Sequence, residues 1–210
     1  MKIPEVKFYD EKTRKFYKLV KTSTWPTVKI SGIFMHRVKD VNPKTDSFLK
    51  IKTLGDIEGI GLDTCTGLGY TSILSARETK VEKIITIEKD ENMIEIAKLN
   101  PYSTELFTNP KIEFIIDDVY EHIKKFPDEY FNFIIHDPPR ISIAGELYSL
   151  EFYKQIFRVL KKGGKLFHYV GKPGIRQRKN YSKGIIQRLR LAGFKKIERV
   201  DYANGVVCFK

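Results

Sequence analysis

The chain has 210 residues, of which 41% are hydrophobic and 12% aromatic, so it can bury the core of one ordinary domain and is not a wholly disordered protein. No apolar run approaches the roughly 20 residues of a membrane span, and the first residues lack the apolar core of a secretory signal. Its two cysteines, Cys65 and Cys208, are too few for a disulfide framework and lack metal-site spacing. We therefore expect a cytoplasmic protein with no membrane partner and no metal.

Charge is unevenly distributed along the chain. The formal net charge is +12, to which residues 1–55 contribute +8, residues 56–160 contribute −8 and residues 161–199 contribute +12. Two basic ends therefore flank an acidic middle. Because clustered lysine and arginine attract polyanions, this pattern predicts a nucleic-acid partner, while a merely soluble lysine-rich surface is the competing interpretation.

The hydrophobic pattern divides the chain into two regions. Residues 1–55 show short alternating stretches interrupted by Pro26 and Pro43, and we expect a small hairpin-rich extension on the substrate side. Residues 56–210 alternate short apolar runs with amphipathic segments, which is typical of βα units. The predicted strands are 59–63, 83–88, 111–116, 131–136, 165–170, 195–201 and 206–209, and the predicted helices are 70–79, 91–99, 119–126, 149–160 and 181–192.

The last two predicted strands leave no room for a helix between them. Asn204-Gly205 is a strong hairpin signal there, so the last strand should run antiparallel to its neighbour. The sequence therefore predicts an α/β fold with a Rossmann-like, seven-stranded, mostly parallel sheet.

A glycine loop follows the first strand of this sheet. It consists of Asp63, Thr64, Cys65, Thr66, Gly67, Leu68 and Gly69. Gly67 and Gly69 permit a tight turn and close approach of a ligand to the backbone. Glu88 ends the next strand, where a carboxylate can accept hydrogen bonds from both ribose hydroxyls. This combination predicts a nucleotide-like ligand. Ser72 stands where a dinucleotide fingerprint needs its third glycine, which disfavours NAD.

The acidic residues indicate which nucleoside binds. Asp63 would repel a pyrophosphate but suits a cationic ligand, and S-adenosylmethionine carries a sulfonium and an ammonium. Asp117 and Asp118 follow the third strand, where one is placed to accept a hydrogen bond from an adenine amino group and one to cap the next helix. These acidic residues suit S-adenosylmethionine, which is the cofactor that the family resemblance described below implies. Its predicted contacts are Asp63, Thr64, Cys65, Gly67, Gly69, Glu88, Asp117 and Asp118.

The fourth strand runs directly into Asp137-Pro138-Pro139-Arg140. Because proline has no N–H group, this turn is rich in hydrogen-bond acceptors. Asp137 and the Pro138 carbonyl are placed to hold an amino group in line with a departing sulfur, and positioning supplies much of such catalysis. We therefore predict Asp137, Pro138 and Pro139 as the catalytic residues. His136 should face the opposite side and pack against the sheet.

Together these motifs resemble the class I S-adenosylmethionine-dependent methyltransferases over about residues 56–210, and most closely a group of predicted archaeal methyltransferases with an Asp-Pro-Pro-Arg motif. The resemblance implies that the glycine loop cradles the methionine moiety, that Glu88 holds the ribose and that Asp118 or its neighbour reads adenine. Cys65 departs from the family, in which most members have a glycine at that position.

Asp-Pro-Pro also resembles the signature of amino-methyltransferases that act on nucleic-acid bases, in which an aromatic residue follows the prolines. Arg140 stands in that place, where it is expected to stack on a base or grip a phosphate, with Tyr148 or Phe152 supplying the missing ring. A basic loop after the fifth strand is expected to grip phosphates. The predicted substrate contacts are His36, Arg37, Arg140, Tyr148, Arg176, Arg178 and Tyr181.

The favoured hypothesis is a methyltransferase acting on an exocyclic amino group of an RNA base, with cytosine N4 in ribosomal RNA first and guanine N2 in transfer or ribosomal RNA next. One alternative is an aminopropyltransferase resembling spermidine synthase, which uses decarboxylated S-adenosylmethionine. Such enzymes bind a polycationic amine in an acidic site, and the basic ends of this chain argue against it. The other alternative is a non-catalytic RNA-binding protein, against which the presence of Asp63, Glu88 and Asp137 argues.

Overall fold

A computed structural model of the chain describes the backbone of residues 2–171 and 176–210 and the side chains of residues 2–171 and 182–210. An N-terminal antiparallel sheet has the strand order β1-β2-β3-β4. Its strands are β1 (Lys7–Asp10), β2 (Lys15–Val20), β3 (Thr27–Ile30) and β4 (Ile33–Phe34), and helix α1 (Pro43–Lys52) follows them.

The second sheet has seven strands in the order β10-β11-β9-β8-β5-β6-β7. They are β5 (Gly59–Asp63), β6 (Val81–Glu88), β7 (Ile112–Ile116), β8 (Phe131–His136), β9 (Leu160–Tyr169), β10 (Lys196–Val200) and β11 (Gly205–Phe209). The helices between them are α2 (Tyr70–Ala76), α3 (Glu91–Leu99), α4 (Thr104–Thr108), α5 (Val119–His122), α6 (Leu150–Val159) and α7 (Arg176–Ala192).

The predicted fold class is confirmed. Strands β5 to β9 pair in parallel, and β11 is antiparallel to both β9 and β10. Asn204 adopts the left-handed conformation, with φ 51°, in the turn before β11, which agrees with its role as a hairpin signal. Strand β9 begins five residues earlier than predicted, at Leu160, where an irregularity shifts its register against β8.

The N-terminal region contains the expected hairpins, but it also contains a helix that the sequence interpretation missed. Pro43 was expected to interrupt structure, whereas it occupies the first turn of α1, where proline is favoured because its missing N–H has no partner to lose. Asn42 caps this helix, its side chain accepting a hydrogen bond from the Thr45 amide at 2.9 Å. The short helix α4 was also missed.

The N-terminal sheet packs on the helices beside the glycine loop. Tyr17 and Trp25 share one buried cluster with Tyr70 of α2 and Met93 of α3. The Tyr70 hydroxyl donates to the Pro26 carbonyl at 2.8 Å. This packing fixes the N-terminal region against the edge of the sheet where the strands β5 and β6 end. The division of the chain between residues 55 and 56 stays a prediction. Within the described residues, no helix is long and apolar enough to cross a membrane.

The cap of α1 gives a test of this corrected element. Replacing Asn42 by alanine removes the acceptor for the Thr45 amide and should lower the free energy of unfolding by about 1 kcal/mol, measured by urea denaturation. Asn42→Ser keeps a capping oxygen and should cost only a few tenths of that amount. Equal losses in both variants would contradict the capping role.

Candidate active site

The carboxyl ends of four neighbouring parallel strands bring acidic side chains to one edge of the large sheet. Asp63 ends β5, Glu88 ends β6, Asp117 and Asp118 follow β7, and Asp137 follows β8. Because these strands lie side by side in the order β8-β5-β6-β7, the carboxylates form one row. The structure therefore brings together the acidic residues that the sequence singled out.

The glycine loop follows Asp63, and two of its residues have a left-handed backbone. Gly67 has φ +55° and Gly69 has φ +76°, and Gly69 immediately precedes α2. A Cβ atom at Gly69 would lie 2.8 Å from Cδ2 of Leu106, so the backbone there leaves no space for a side chain. The Gly67 amide donates to Oε2 of Glu88 at 2.9 Å, which ties the loop to the end of β6.

Asp63 is fully buried beneath this loop. The hydroxyls of Thr71 and Ser72 donate to its Oδ2 at 2.5 and 2.7 Å. No described residue gives its other oxygen, Oδ1, a hydrogen bond of normal geometry. Burial raises the pKa of Asp63 to about 7, although the two hydroxyls oppose the shift. A buried carboxylate with an unsatisfied oxygen suits a cationic ligand.

Glu88 is held by the backbone around it. Besides Gly67, the amides of Lys89 and Asp90 donate to Oε1 of Glu88 at 3.0 and 2.9 Å. Burial raises the pKa of its carboxyl. On the other side of the loop, the Thr64 hydroxyl lies 2.7 Å from Nδ1 of His136. Burial also raises the pKa of the Cys65 thiol, and the charge of Glu88 adds to that shift.

The two aspartates after β7 differ in their surroundings. Asp118 is the N-cap of α5, accepting from the Tyr120 amide at 2.9 Å, and its other oxygen lies 3.1 Å from Nζ of Lys89. Lys89 also reaches Glu146, at 3.5 Å. Asp117 lies 2.7 Å from His122, and the hydrogen bonds from His122 and Lys125 hold the pKa of Asp117 well below its usual range.

Asp137 is paired with a lysine that the sequence analysis did not single out. Nζ of Lys50, on α1, lies 2.5 Å from Oδ2 of Asp137 and 3.0 Å from Oδ2 of Asp46. Asp46 also pairs with Arg37. Only 2% of the Lys50 side chain is exposed, and its Nζ lies 5.1 Å from the centre of the Tyr169 ring. One signal was available, since Asp46 and Lys50 have helical i, i+4 spacing after Asn42-Pro43.

Burial raises the pKa of Asp137, and Lys50 opposes this shift. Burial alone would lower the pKa of Lys50, but the charges of Asp137 and Asp46 raise it. The ion pair favours the charged form of both groups and holds them in place. Because 24% of the Asp137 side chain is exposed, a ligand can reach it.

The remaining predicted residues are placed as follows. Pro138 is buried, and the carbonyl of Pro139 accepts a hydrogen bond from the Tyr148 hydroxyl at 2.9 Å. Tyr148 itself is 6% exposed, whereas Arg140 is exposed. His36 stacks on Tyr70 at 5.1 Å between ring centroids, with Nδ1 lying 3.0 Å from Oγ1 of Thr27. The side chains of Arg176, Arg178 and Tyr181 lie outside the described residues.

His136 packs beneath Asp137. Its Nε2 donates to the Leu147 carbonyl at 3.0 Å, and burial lowers its pKa to about 3, so the ring is neutral.

Residues 72–200 match the spermine/spermidine synthase domain. The chain belongs to this family.

Individual relatives agree with this assignment. The chain is 54% identical over 197 residues to an uncharacterized protein of Methanocaldococcus jannaschii, covering 93% of this chain and 67% of that protein. It is 30% identical over 94 residues to a polyamine aminopropyltransferase of Thermoplasma volcanium, covering 44% of this chain and 34% of that enzyme. A crystal structure of spermidine synthase with the transition-state analogue AdoDATO superposes with a TM-score of 0.77 at 19% identity, covering 97% of this chain and 71% of the other.

These findings confirm the class I methyltransferase-like fold and place the chain in an enzyme superfamily of that type. They show that the predicted RNA-base methylation, and with it a part in RNA modification or ribosomal RNA processing, is wrong. The Asp-Pro-Pro motif does not distinguish the two chemistries, because either reaction needs acceptors that hold an amine. The RNA partner expected from the basic ends stays a prediction.

Several basic residues that raise the net charge lie away from the row of carboxylates. Lys161, Lys162 and Lys165 lie in the first part of β9, which pairs with the start of β8. They therefore lie at the edge of the sheet opposite Asp137. A sum over the sequence does not show at which edge of the sheet each charged residue lies.

The close contact at Gly69 can be tested against a matched glycine elsewhere in the chain. Both Gly69 and Gly163, in β9, have a left-handed backbone, with φ +76° and +79°, so alanine is strained at either position. At Gly69 the new Cβ would also contact Leu106 closely, whereas at Gly163 no atom lies within 4 Å of it. Strain alone costs about 1–2 kcal/mol. We expect Gly69→Ala to lower the midpoint of thermal unfolding more than Gly163→Ala does. Equal shifts would show that the loop tolerates a side chain at Gly69.

Proposed function

We propose that the protein transfers an aminopropyl group from decarboxylated S-adenosylmethionine to the nitrogen of an amine. The observation that carries this proposal is the row of carboxylates that ends at Asp137, in a chain of the spermine/spermidine synthase family. The donor is a sulfonium and the acceptor amine is an ammonium before it loses a proton. A row of partly buried carboxylates attracts both cations.

The residues present fit such a donor. Oδ1 of Asp63, which is buried and has no partner of normal geometry in the described structure, would accept from the ammonium of the donor. Glu88, held rigid by three backbone amides, would accept from the ribose hydroxyls. The left-handed backbone at Gly67 and Gly69 permits close approach of the donor. Asp117 and Asp118 lie at the next strand end, where the adenine would bind.

The reaction at Asp137 follows from its position. The amine nitrogen forms a bond to the propyl carbon next to sulfur while the carbon–sulfur bond breaks, and sulfur leaves as the neutral thioether of methylthioadenosine. Asp137 would orient the amine with the oxygen that does not contact Lys50 and take the proton that the acceptor ammonium must lose before its nitrogen can attack. Its raised pKa favours this role as a proton acceptor.

The product identifies the reaction. The purified protein is incubated with decarboxylated S-adenosylmethionine or S-adenosylmethionine and a panel of amines, and the products are analysed by mass spectrometry. We expect methylthioadenosine and an aminopropylated amine from the decarboxylated donor. Asp137→Asn, which keeps the side-chain shape, should lower the rate by about 100-fold or more. S-adenosylhomocysteine formed from S-adenosylmethionine would indicate methyl transfer instead, and no turnover with either donor would overturn the proposal.

The raised pKa of Asp63 predicts pH-dependent donor binding. Below a pH of about 7 the carboxyl is increasingly protonated and loses its attraction for the ammonium of the donor. The affinity for S-adenosylmethionine, measured by calorimetry, should therefore fall by about tenfold per pH unit below that value. Asp63→Asn should remove this dependence. Methylthioadenosine, which has no ammonium, is the control ligand and should bind wild type equally across the range. A parallel loss for both ligands would contradict the assignment.

A further inference from the structure

The surroundings of the Lys50 ammonium form a cation-binding site that the chain fills by itself. Two carboxylates, Asp137 and Asp46, contact Nζ at 2.5 and 3.0 Å, and the Tyr169 ring lies 5.1 Å away. Two carboxylates and an aromatic face are the groups that recognise an alkylammonium ion. Lys50 is a primary alkylammonium on a four-carbon chain, so it matches one end of a linear diamine in chemistry and in reach.

The charges of this cluster cancel. Arg37 and Lys50 bring two positive charges, and Asp46 and Asp137 bring two negative charges, all linked by ion pairs. Asp137 therefore offers its second oxygen to an acceptor amine without a surplus negative charge behind it. An acceptor with a second ammonium near Asp137 would bring an uncompensated positive charge into a buried region, which is costly.

Helix α1 is also held by contacts that do not involve Lys50. Helix α1 is capped by Asn42, and Ile51 and Leu54 pack at its C-terminal end in a buried cluster with Phe133. Buried ion pairs add little net stability compared with apolar side chains of the same size. The contact between the Lys50 ammonium and Asp137 is therefore better explained by a role in the site than by stability.

We propose that Lys50 is a specificity-determining residue, whose ammonium occupies the place on Asp137 that the second ammonium of a linear diamine would take, so that the acceptor is an amine with a single cationic group. This inference rests on the proposed amine alkylation. It names the acceptor class of that reaction, and it assigns to the N-terminal helix the choice between monoamines and diamines.

The test compares acceptors in the full-length protein. We measure kcat and KM with decarboxylated S-adenosylmethionine for butylamine and for 1,4-diaminobutane, in wild type and in Lys50→Met, which keeps the unbranched stem of the side chain and removes its ammonium. Wild type should prefer butylamine. Lys50→Met should raise the ratio of kcat/KM for the diamine to that for the monoamine by at least tenfold, mainly through a lower KM for the diamine.

Two further variants make the result specific. Lys52→Met removes one positive charge from an exposed position on the same helix and should leave the ratio unchanged. If Lys50→Met does not fold, judged by circular dichroism and thermal unfolding, the double variant Asp46→Asn with Lys50→Met keeps the cluster neutral and is measured in its place. It should show the same rise in the ratio.

The outcomes separate the two proposals. Transfer to some amine with no preference for the monoamine in wild type, or with a ratio that Lys50→Met and the double variant leave unchanged, overturns the role of Lys50 while the proposed function stands. No transfer by wild type to any amine overturns the proposed function itself, and this is known before any variant is measured.

Discussion

The ion pair between Lys50 and Asp137 joins the N-terminal helix to the acidic edge of the large sheet. The two residues are 87 positions apart in the chain, and 2% of the Lys50 side chain is exposed. Loss of one partner would leave the other as a buried, uncompensated charge, a penalty of about 3–5 kcal/mol. The N-terminal region and the candidate site are therefore linked energetically, and displacement of the N-terminal helix would remove the ammonium that opposes the raised pKa of Asp137.

The same edge of the sheet stores electrostatic strain. Parallel strands end together, so Asp63, Glu88 and Asp137 are brought near one another and partly removed from water. Burial raises the pKa of each of these carboxyls, and the charge of Asp137 raises that of Asp63 further. A bound cation relieves both burial and repulsion. The free energy that burial and repulsion cost in the empty site is therefore partly recovered when a cationic ligand binds.

Local patterns predicted the large sheet well, because the features that specify it are local. Alternating apolar runs, the Asn204-Gly205 turn and acids at strand ends all act over a few residues, and the positions of Asp63 and Glu88 follow from them. The site around Lys50 was missed because no local pattern reports a contact made across 87 residues. RNA-base methylation was predicted wrongly because total charge does not show where each lysine lies in the fold and because the Asp-Pro-Pro motif is compatible with either reaction.

The buried residues beneath Asp137 bear on the role proposed for Lys50. His136 and His168 are fully buried, and burial lowers the pKa of both rings, so that they stay uncharged. Their nitrogens are hydrogen-bonded, to Thr64 and the Leu147 carbonyl and to the Tyr153 hydroxyl. This side of the site is therefore polar but neutral and shielded from water, a setting in which charges interact strongly. The field at Asp137 is then set by the cluster that contains Lys50, so that the choice of acceptor in the proposed reaction would be sensitive to a single ammonium group.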